Sequence, residues 1–179
     1  MAWTTTDGAA LYLAGDGFRK DGQRPFLDRM DLASGKTTRL YESAPTHLEP
    51  VLVLLSADGR RFVTSRQSNR EVPNYFVREA GKRGTRDSGS GRALSDFADP
   101  APALTASQRF QFKFMRPDSV ELNAEAVLPA DWKPGSRLPT IFWVYPTDYR
   151  SAAAASQNRR SPNRFPSQSA LNPEVLVTQ

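Results

Sequence analysis

The sequence contains no cysteine and only one histidine, His47, among its 179 residues. Without cysteine there can be no disulfide bond, no thiolate nucleophile and no cysteine-ligated zinc. We therefore predict neither a metal site nor a cofactor. Any covalent chemistry of this chain has to use hydroxyl, carboxylate, amine or imidazole groups.

Long apolar runs are also missing. No stretch of 18 apolar residues occurs, so no membrane-spanning helix and no membrane partner are predicted. The first residues, MAWTTTDGAALYLAG, lack the basic region and apolar segment of a signal peptide. A sequence that starts inside a longer gene would lack them too, so the compartment stays open, as does the oligomeric state.

The chain is basic, with a formal net charge of +5 and a pI near 9.8. Its densest positive stretches, Lys82 to Arg92 and the group Arg159, Arg160 and Arg164, lie among glycine, serine and proline. They are neither placed on a helix nor interleaved with stacking aromatic residues, as nucleic-acid binding surfaces are. Nucleic acid is therefore not a predicted partner, although a basic binder would show affinity that falls steeply with salt.

Short apolar stretches separated by turn residues predict a chain that is mainly β. In the first half the predicted strands are Ala9 to Ala14, Phe26 to Leu32, Thr37 to Tyr41, Val51 to Leu55, Arg61 to Ser65 and Tyr75 to Glu79.

These strands recur in two cycles. The turn Asp7-Gly8 precedes one strand as Asp58-Gly59 precedes another, about 51 residues later, and the strand of residues 24–32 corresponds to residues 72–80. Cycles of four short strands at this period are typical of β-propeller blades. An ordinary β-sandwich with similar hairpins is the alternative.

After an Asp99 to Ala103 connector, which we predict to be extended, the pattern changes. Strict alternation in Phe110 to Phe114 and again in Val120 to Leu128 predicts a hairpin with one buried face. The run Ile141-Phe142-Trp143-Val144 predicts a central strand covered on both faces, as in a mixed α/β sheet. A long loop should follow over residues 151–169, and Val175 to Val177 would begin another strand.

In this order the pieces resemble an internal stretch of a serine peptidase of the prolyl oligopeptidase family, nearest its glutamyl endopeptidase-like and acylaminoacyl-peptidase-like branch. The resemblance lies in SADGRRFVTSRQS (56–68), PNYFVRE (73–79), VLPADWKPGSRLPTIFWVYPTDY (127–149) and SPNRF (161–165). It implies that residues 1–107 are the last two blades of a β-propeller and residues 108–179 the first strands of an incomplete α/β-hydrolase domain. A peptide would then be the substrate of the full-length parent protein.

The chemistry of that family requires a serine on a G-x-S-x-G turn, followed by an acid and a histidine. The nearest string, Ser88-Gly89-Ser90-Gly91-Arg92, has the wrong glycine spacing and lies in a basic polar loop. His47 precedes most of the chain, whereas the family's histidine comes last, so we predict a loop or capping role for it. The chain is therefore expected to lack the triad and to be inactive alone.

Tyr145 is the one candidate catalytic residue. In the family this resembles, the loop after the corresponding strand supplies an oxyanion-stabilising group, often a tyrosine hydroxyl. Pro146 stands where many relatives have small glycines, so a tyrosine that only caps the strand end is an equal alternative. For the whole chain, the alternative to a peptidase fragment is an independent β-rich module that binds a peptide or protein. A fragment with unpaired strand edges should be poorly soluble alone.

Overall fold

The computed structural model describes residues 1–19, 22–80, 91–144, 161–166 and 172–178. The chain is mainly β and divides into two compact units. The first comprises Met1–Asp99 with Arg160–Phe165, and the second comprises Pro100–Arg159 with Pro166–Gln179.

Two four-stranded antiparallel sheets make up most of the first unit. The first sheet has the order β1-β2-β5-β6, and its strands are β1 (Ala2–Thr4), β2 (Ala10–Gly15), β5 (Phe26–Asp31) and β6 (Thr37–Glu42). Between β2 and β5 lie two short paired strands, β3 (Phe18–Arg19) and β4 (Gly22–Gln23). The second sheet contains β7 (Val51–Leu54), β8 (Arg61–Arg66), β9 (Asn74–Glu79) and β10 (Arg92–Ala93), in chain order. All six predicted strands are present, within one or two residues.

The turns that open β2 and β8 are equivalent, as the sequence repeat predicts. Gly8 donates its backbone N–H to Thr5 O at 3.0 Å, and Gly59 donates to Ser56 O at 3.0 Å. The carboxylates of Asp7 and Asp58 each accept a backbone N–H two residues later, again at 3.0 Å in both turns. Each glycine has a positive φ, +68° and +67°, which is the conformation that favours glycine.

The core of the first unit consists of Tyr12, Leu27, Tyr41, Val51 and Phe62, drawn from strands of both sheets. The rings of Tyr41 and Phe62 meet edge to face, with centroids 5.2 Å apart. Tyr12 lies over the turn that opens β8 and donates its hydroxyl to Ala57 O at 3.1 Å. Burying each such side chain contributes roughly 1.5–3 kcal/mol, so this cluster is the main source of stability in the unit.

The second unit begins with one helical turn, α1 (Pro102–Thr105), where part of an extended connector was predicted. Proline at the first helical position explains the difference, since its φ is already suited to a helix and its missing N–H is not needed there. The last described element is a 3-10 helix, η1 (Pro173–Thr178), so the strand predicted at Val175 was wrong. Asn172 accepts the N–H of Glu174 at 3.2 Å and Thr178 donates to Val175 O at 2.8 Å, which satisfies this helix locally.

Between these helices, β11 (Gln108–Met115) and β12 (Glu121–Leu128) form the predicted hairpin, with eight consecutive residue pairs. The prediction that one face is buried was wrong, because Phe110, Phe112 and Phe114 are each about half exposed. Within the part of the chain that the structure describes, Trp132 contacts Phe110 edge to face at 6.2 Å and no aromatic contact covers Phe112 from outside the hairpin.

The apolar run Ile141 to Val144 forms neither a strand nor a helix, contrary to the sequence prediction. Its side chains are 65–87% exposed, with Phe142 the most exposed. A strand requires a neighbour that accepts and donates backbone hydrogen bonds. No strand within the described ranges pairs with this run, so its apolar side chains are not covered as a central strand requires.

Candidate functional site

Tyr145, the predicted oxyanion-stabilising residue, lies outside the described residues, as do Ser88 and Ser90. The described residues break off after Val144 and resume at Ser161, so the role of Tyr145 stays a prediction. Most of the predicted loop over residues 151–169 also lies outside the described residues.

His47, the single histidine, lies in the turn Ala44–His47 that follows β6, in keeping with the predicted loop role. Its Nδ1 is 2.8 Å from Thr46 Oγ1, and its Nε2 is 3.1 Å from Glu71 Oε2. The backbone around it is also held, because Ser43 Oγ donates to His47 O at 2.9 Å. Both ring nitrogens therefore have partners, and the imidazole links this turn to residue 71.

A hydroxyl, an imidazole and a carboxylate thus lie in a row, as they do in a nucleophilic triad. The surroundings do not suit that chemistry. Thr46 is exposed, the Glu71 side chain is half exposed, and Arg66 Nε lies 3.7 Å from the same Glu71 oxygen. Water and the guanidinium both weaken the hold of the carboxylate on the imidazole. The row of groups fixes the turn and does not make Thr46 a nucleophile.

Residues 161–165 contact this turn and Gln67, at sequence separations of 118 and 98 positions. Asn163 Nδ2 donates to Pro45 O at 2.7 Å, and the Phe165 N–H donates to Gln67 Oε1 at 2.9 Å. Gln67 also pairs with Leu48 through both backbone groups, at 2.9 and 3.1 Å. The turn, Gln67 and residues 161–165 consequently form one hydrogen-bonded cluster within the first unit.

A second polar cluster is buried in the first unit and involves strands of the second sheet. Glu49 is 1% exposed, and its carboxylate accepts hydrogen bonds from Arg78 Nε at 2.8 Å and from Thr64 Oγ1 at 2.6 Å. Arg78 Nη2 is 2.7 Å from the same Glu49 oxygen. Since an isolated buried charge is very unfavourable, these bonds are what permits a carboxylate at this position.

Tyr41 completes this cluster by donating its hydroxyl to the backbone oxygen of Glu49 at 3.2 Å. Burial raises the pKa of the Tyr41 phenol above its usual value, and the nearby Glu49 charge raises it further. The phenol therefore stays neutral and acts as a hydrogen-bond donor. All members of the cluster satisfy one another, which is the mark of a structural network and not of a reactive centre.

No group of three or more histidine, aspartate or glutamate side chains is placed to hold a metal ion among the residues that the structure describes. Among the same residues, no helix combines the length and apolar character that a bilayer crossing requires.

Sequence reasoning missed both clusters. For Thr64 a signal existed, since it alternates with Phe62 on β8 and so had to share the inward face of the strand. Glu49 carried no such signal, because it stands outside any strand and its partner Arg78 is 29 positions away. The motif SPNRF indicates only a family resemblance, and no sequence pattern predicts its contacts with Pro45 and Gln67.

Two plant proteins, each named "Probable glutamyl endopeptidase, chloroplastic", are similar to the chain. The protein from Arabidopsis thaliana is 30% identical over 170 residues, which cover 89% of this chain and 17% of that protein. The protein from Oryza sativa subsp. japonica is 30% identical over 180 residues, covering 94% of this chain and 19% of that protein. The chain thus spans less than a fifth of the length of the curated relatives it matches.

No model of a known protein family matches the chain. Among solved structures, the AtxE2 isopeptidase is similar over 77% of this chain and 19% of its own, both without ligand and as a variant with Astexin3-dC4 bound. The sequence identities are 19% and 20%, and the TM-scores are 0.42 and 0.44.

Proposed function

We propose that the chain, which is related in sequence to glutamyl endopeptidase-like proteins, is part of a serine peptidase of the prolyl oligopeptidase family. The observation that carries this proposal is 30% identity over 89% of the chain to the Arabidopsis thaliana protein named "Probable glutamyl endopeptidase, chloroplastic". The reaction would be hydrolysis of a peptide bond by acyl transfer to a serine. A peptide is accordingly the proposed substrate of the parent protein.

In this proposal the first unit supplies two blades of a β-propeller. Its two sheets each have four antiparallel strands in a largely sequential order. The second strand of each sheet follows an equivalent turn, and the two turns, at Gly8 and Gly59, are 51 residues apart. One four-stranded sheet per repeat of this length is the construction of a propeller blade. Residues 1–107 would be the last two blades, and residues 108–179 the first strands of an α/β-hydrolase domain.

Tyr145 is the residue we propose to take part in catalysis. Its hydroxyl would donate a hydrogen bond to the oxyanion that forms when the serine attacks the peptide carbonyl. Such a donor accelerates the reaction because it binds the developing negative charge more strongly than the uncharged carbonyl. The proposed serine, acid and histidine would lie outside these 179 residues.

A serine-reactive fluorophosphonate probe tests the assignment of the triad to other parts of a peptidase. The purified 179-residue chain should show no covalent labelling, because Ser90 lacks the sequence context of a nucleophile and His47 is engaged by Thr46 and Glu71. Labelling that disappears in a Ser90→Ala variant would contradict the proposal.

The role of Tyr145 is tested in an active peptidase that contains this sequence. Tyr145→Phe removes the hydroxyl but keeps the ring, so kcat should fall by about 10²- to 10³-fold with little change in KM. Tyr149→Phe, four residues later, is the matched control and should leave kcat within about twofold of the parent. Equal rates for Tyr145→Phe and the parent would show that Tyr145 only caps the chain segment.

The half-exposed row of Phe110, Phe112 and Phe114 favours a second candidate, an independent module that binds a peptide or protein. This candidate requires that the chain alone be monodisperse and unfold cooperatively. Size-exclusion chromatography with thermal melting distinguishes the two, since a peptidase fragment should aggregate instead.

A further inference from the structure

We propose that Ser161–Phe165 is an anchor segment, recognised through side-chain amides by a site on the first unit. The site consists of the turn Ala44–His47 and Gln67. The inference concerns residues that the proposed peptidase function does not use and stands independently of it.

Hydrogen bonds within the anchor segment fix its conformation. The Ser161 hydroxyl accepts the backbone N–H of Asn163 at 3.2 Å, and Ser161 O accepts the N–H of Arg164 at 3.1 Å. Pro162 restricts the backbone further. Because the turn is fixed internally, the Asn163 side chain and the Phe165 N–H are presented with little additional loss of entropy.

The site is equally well fixed. The backbone N–H of His47 donates to Ala44 O at 3.2 Å, which closes the turn. Two backbone hydrogen bonds join Gln67 to Leu48. Among the described residues, the hydrogen bond that Pro45 O accepts comes from Asn163 Nδ2, at 2.7 Å. Gln67 Oε1 accepts from the Phe165 N–H at 2.9 Å.

The fit also depends on a close approach. A Cβ atom added to Gly22 would lie 3.1 Å from Pro162 Cδ, closer than about nine in ten real Cβ contacts. Ser161 is 4% exposed although its chain neighbour Pro162 is exposed. The segment is therefore seated on the first unit at several points, and its position there does not rest on a single bond.

The two amides play different chemical parts, which makes the recognition specific. Asn163 acts as a donor to a carbonyl, a role that aspartate cannot take. Gln67 acts as an acceptor for a backbone N–H, a role that glutamate takes as well as glutamine. Asn163→Asp thus removes the donor and should weaken the contact, whereas Gln67→Glu keeps the acceptor and should preserve it. Comparison of these two variants tests whether the contact depends on hydrogen bonding or only on side-chain size.

Limited trypsin digestion of the full chain tests the anchor, because cleavage after Arg164 requires the segment to open. The rate at Arg164 is compared with the rate at Lys36, which lies in an exposed turn between β5 and β6. Asn163→Asp and Gln67→Leu should raise the ratio by about 2- to 10-fold, the range expected for the loss of one hydrogen bond. Gln67→Glu should leave the ratio unchanged.

Two results would overturn the proposal. One is an unchanged ratio in both Asn163→Asp and Gln67→Leu; the other is an equal rise in Gln67→Glu and Gln67→Leu. General unfolding is detected in the same digestion, since it would raise cleavage at Lys36 together with cleavage at Arg164. The conservative variant Asn163→Gln retains an amide donor and should raise the ratio less than Asn163→Asp does.

Discussion

At the scale of single residues, the buried charge of Glu49 is a feature whose partners the first unit cannot lose without a large cost. Its partner Arg78 is 7% exposed in the side chain and contacts the ring of Phe76, with the guanidinium 5.1 Å from the ring centroid. Such a pair adds little stability compared with apolar residues of the same size, but removal of one member is costly. Substitution of either residue alone is therefore expected to destabilise the first unit, whereas joint replacement by apolar residues is tolerated better.

Arg78→Met should lower the free energy of unfolding by about 3–5 kcal/mol, because it leaves the Glu49 carboxylate buried without its cation. The measurement is urea unfolding of the full chain followed by circular dichroism. The double variant Glu49→Leu with Arg78→Met should be less destabilised than Arg78→Met alone. A single variant that costs under about 1 kcal/mol would show that water reaches Glu49.

A second residue-scale prediction concerns acid. Hydrogen bonds from Ser56 Oγ and then from the Arg60 N–H hold the pKa of the Asp58 carboxyl below its usual value of 3.8. A lowered folded-state pKa means that Asp58 contributes stability above pH 3.8 and loses this contribution as pH falls through the folded-state value.

The difference in Tm between the parent chain and Asp58→Ala should therefore shrink between about pH 6 and about pH 2.5. Asp58→Asn is the control, since its side-chain oxygen accepts the same bonds without titrating. Its advantage over alanine should not change over this range. A parent-to-alanine difference that is constant with pH would contradict the assigned role of the carboxylate.

At the scale of elements, sequence patterns predicted hydrogen-bonded hairpins well and buried faces poorly. Turn residues and alternation are local signals, so β2, β5, β8 and the β11–β12 hairpin lie close to where they were expected. Whether a face is covered depends on distant residues. Phe110 to Phe114 and Ile141 to Val144 were expected to be buried, and the described residues leave them exposed.

This exposure has a measurable consequence. Phe142→Ser and Trp143→Ser should reduce both binding of the dye ANS and light scattering by the chain, because they remove exposed apolar surface. Their effect on stability should stay within about 0.5 kcal/mol, as is usual for exposed positions. Phe62→Ser is the contrasting variant, since Phe62 is fully buried and its loss should unfold the first unit. Undiminished ANS binding in the Phe142 and Trp143 variants would show that the dye binds apolar surface elsewhere in the chain.

At the scale of the whole molecule, the two units differ in how much they bury. The first unit contains the aromatic core of Tyr12, Tyr41 and Phe62, whereas most of β11 is exposed. The sequence predicted a change of architecture near residue 107, and the compact units divide at Asp99. It could not show that residues 161–165 belong with the first unit, since contacts over about a hundred positions leave no periodic trace.

Hydrogen exchange should reflect this difference. Backbone amides of β5 and β8, which lie inside their sheets and next to the core, should exchange only through global opening of the first unit. Amides of β11 and β12 should exchange much faster, because this two-stranded hairpin has little apolar cover. Mass spectrometry of the full chain after timed labelling provides the measurement. Equal protection of β5 and β11 would show that the hairpin is covered in solution.

The two repeated turns differ in which evolutionary substitutions they tolerate. Gly8 and Gly59 adopt the same backbone conformation, but a Cβ atom at Gly8 would meet nothing within 4 Å, whereas one at Gly59 would lie 2.2 Å from the Tyr12 ring. Among descendants of this sequence, asparagine or aspartate should replace Gly8 freely, since both tolerate a positive φ. Position 59 should keep its glycine for as long as an aromatic ring occupies position 12.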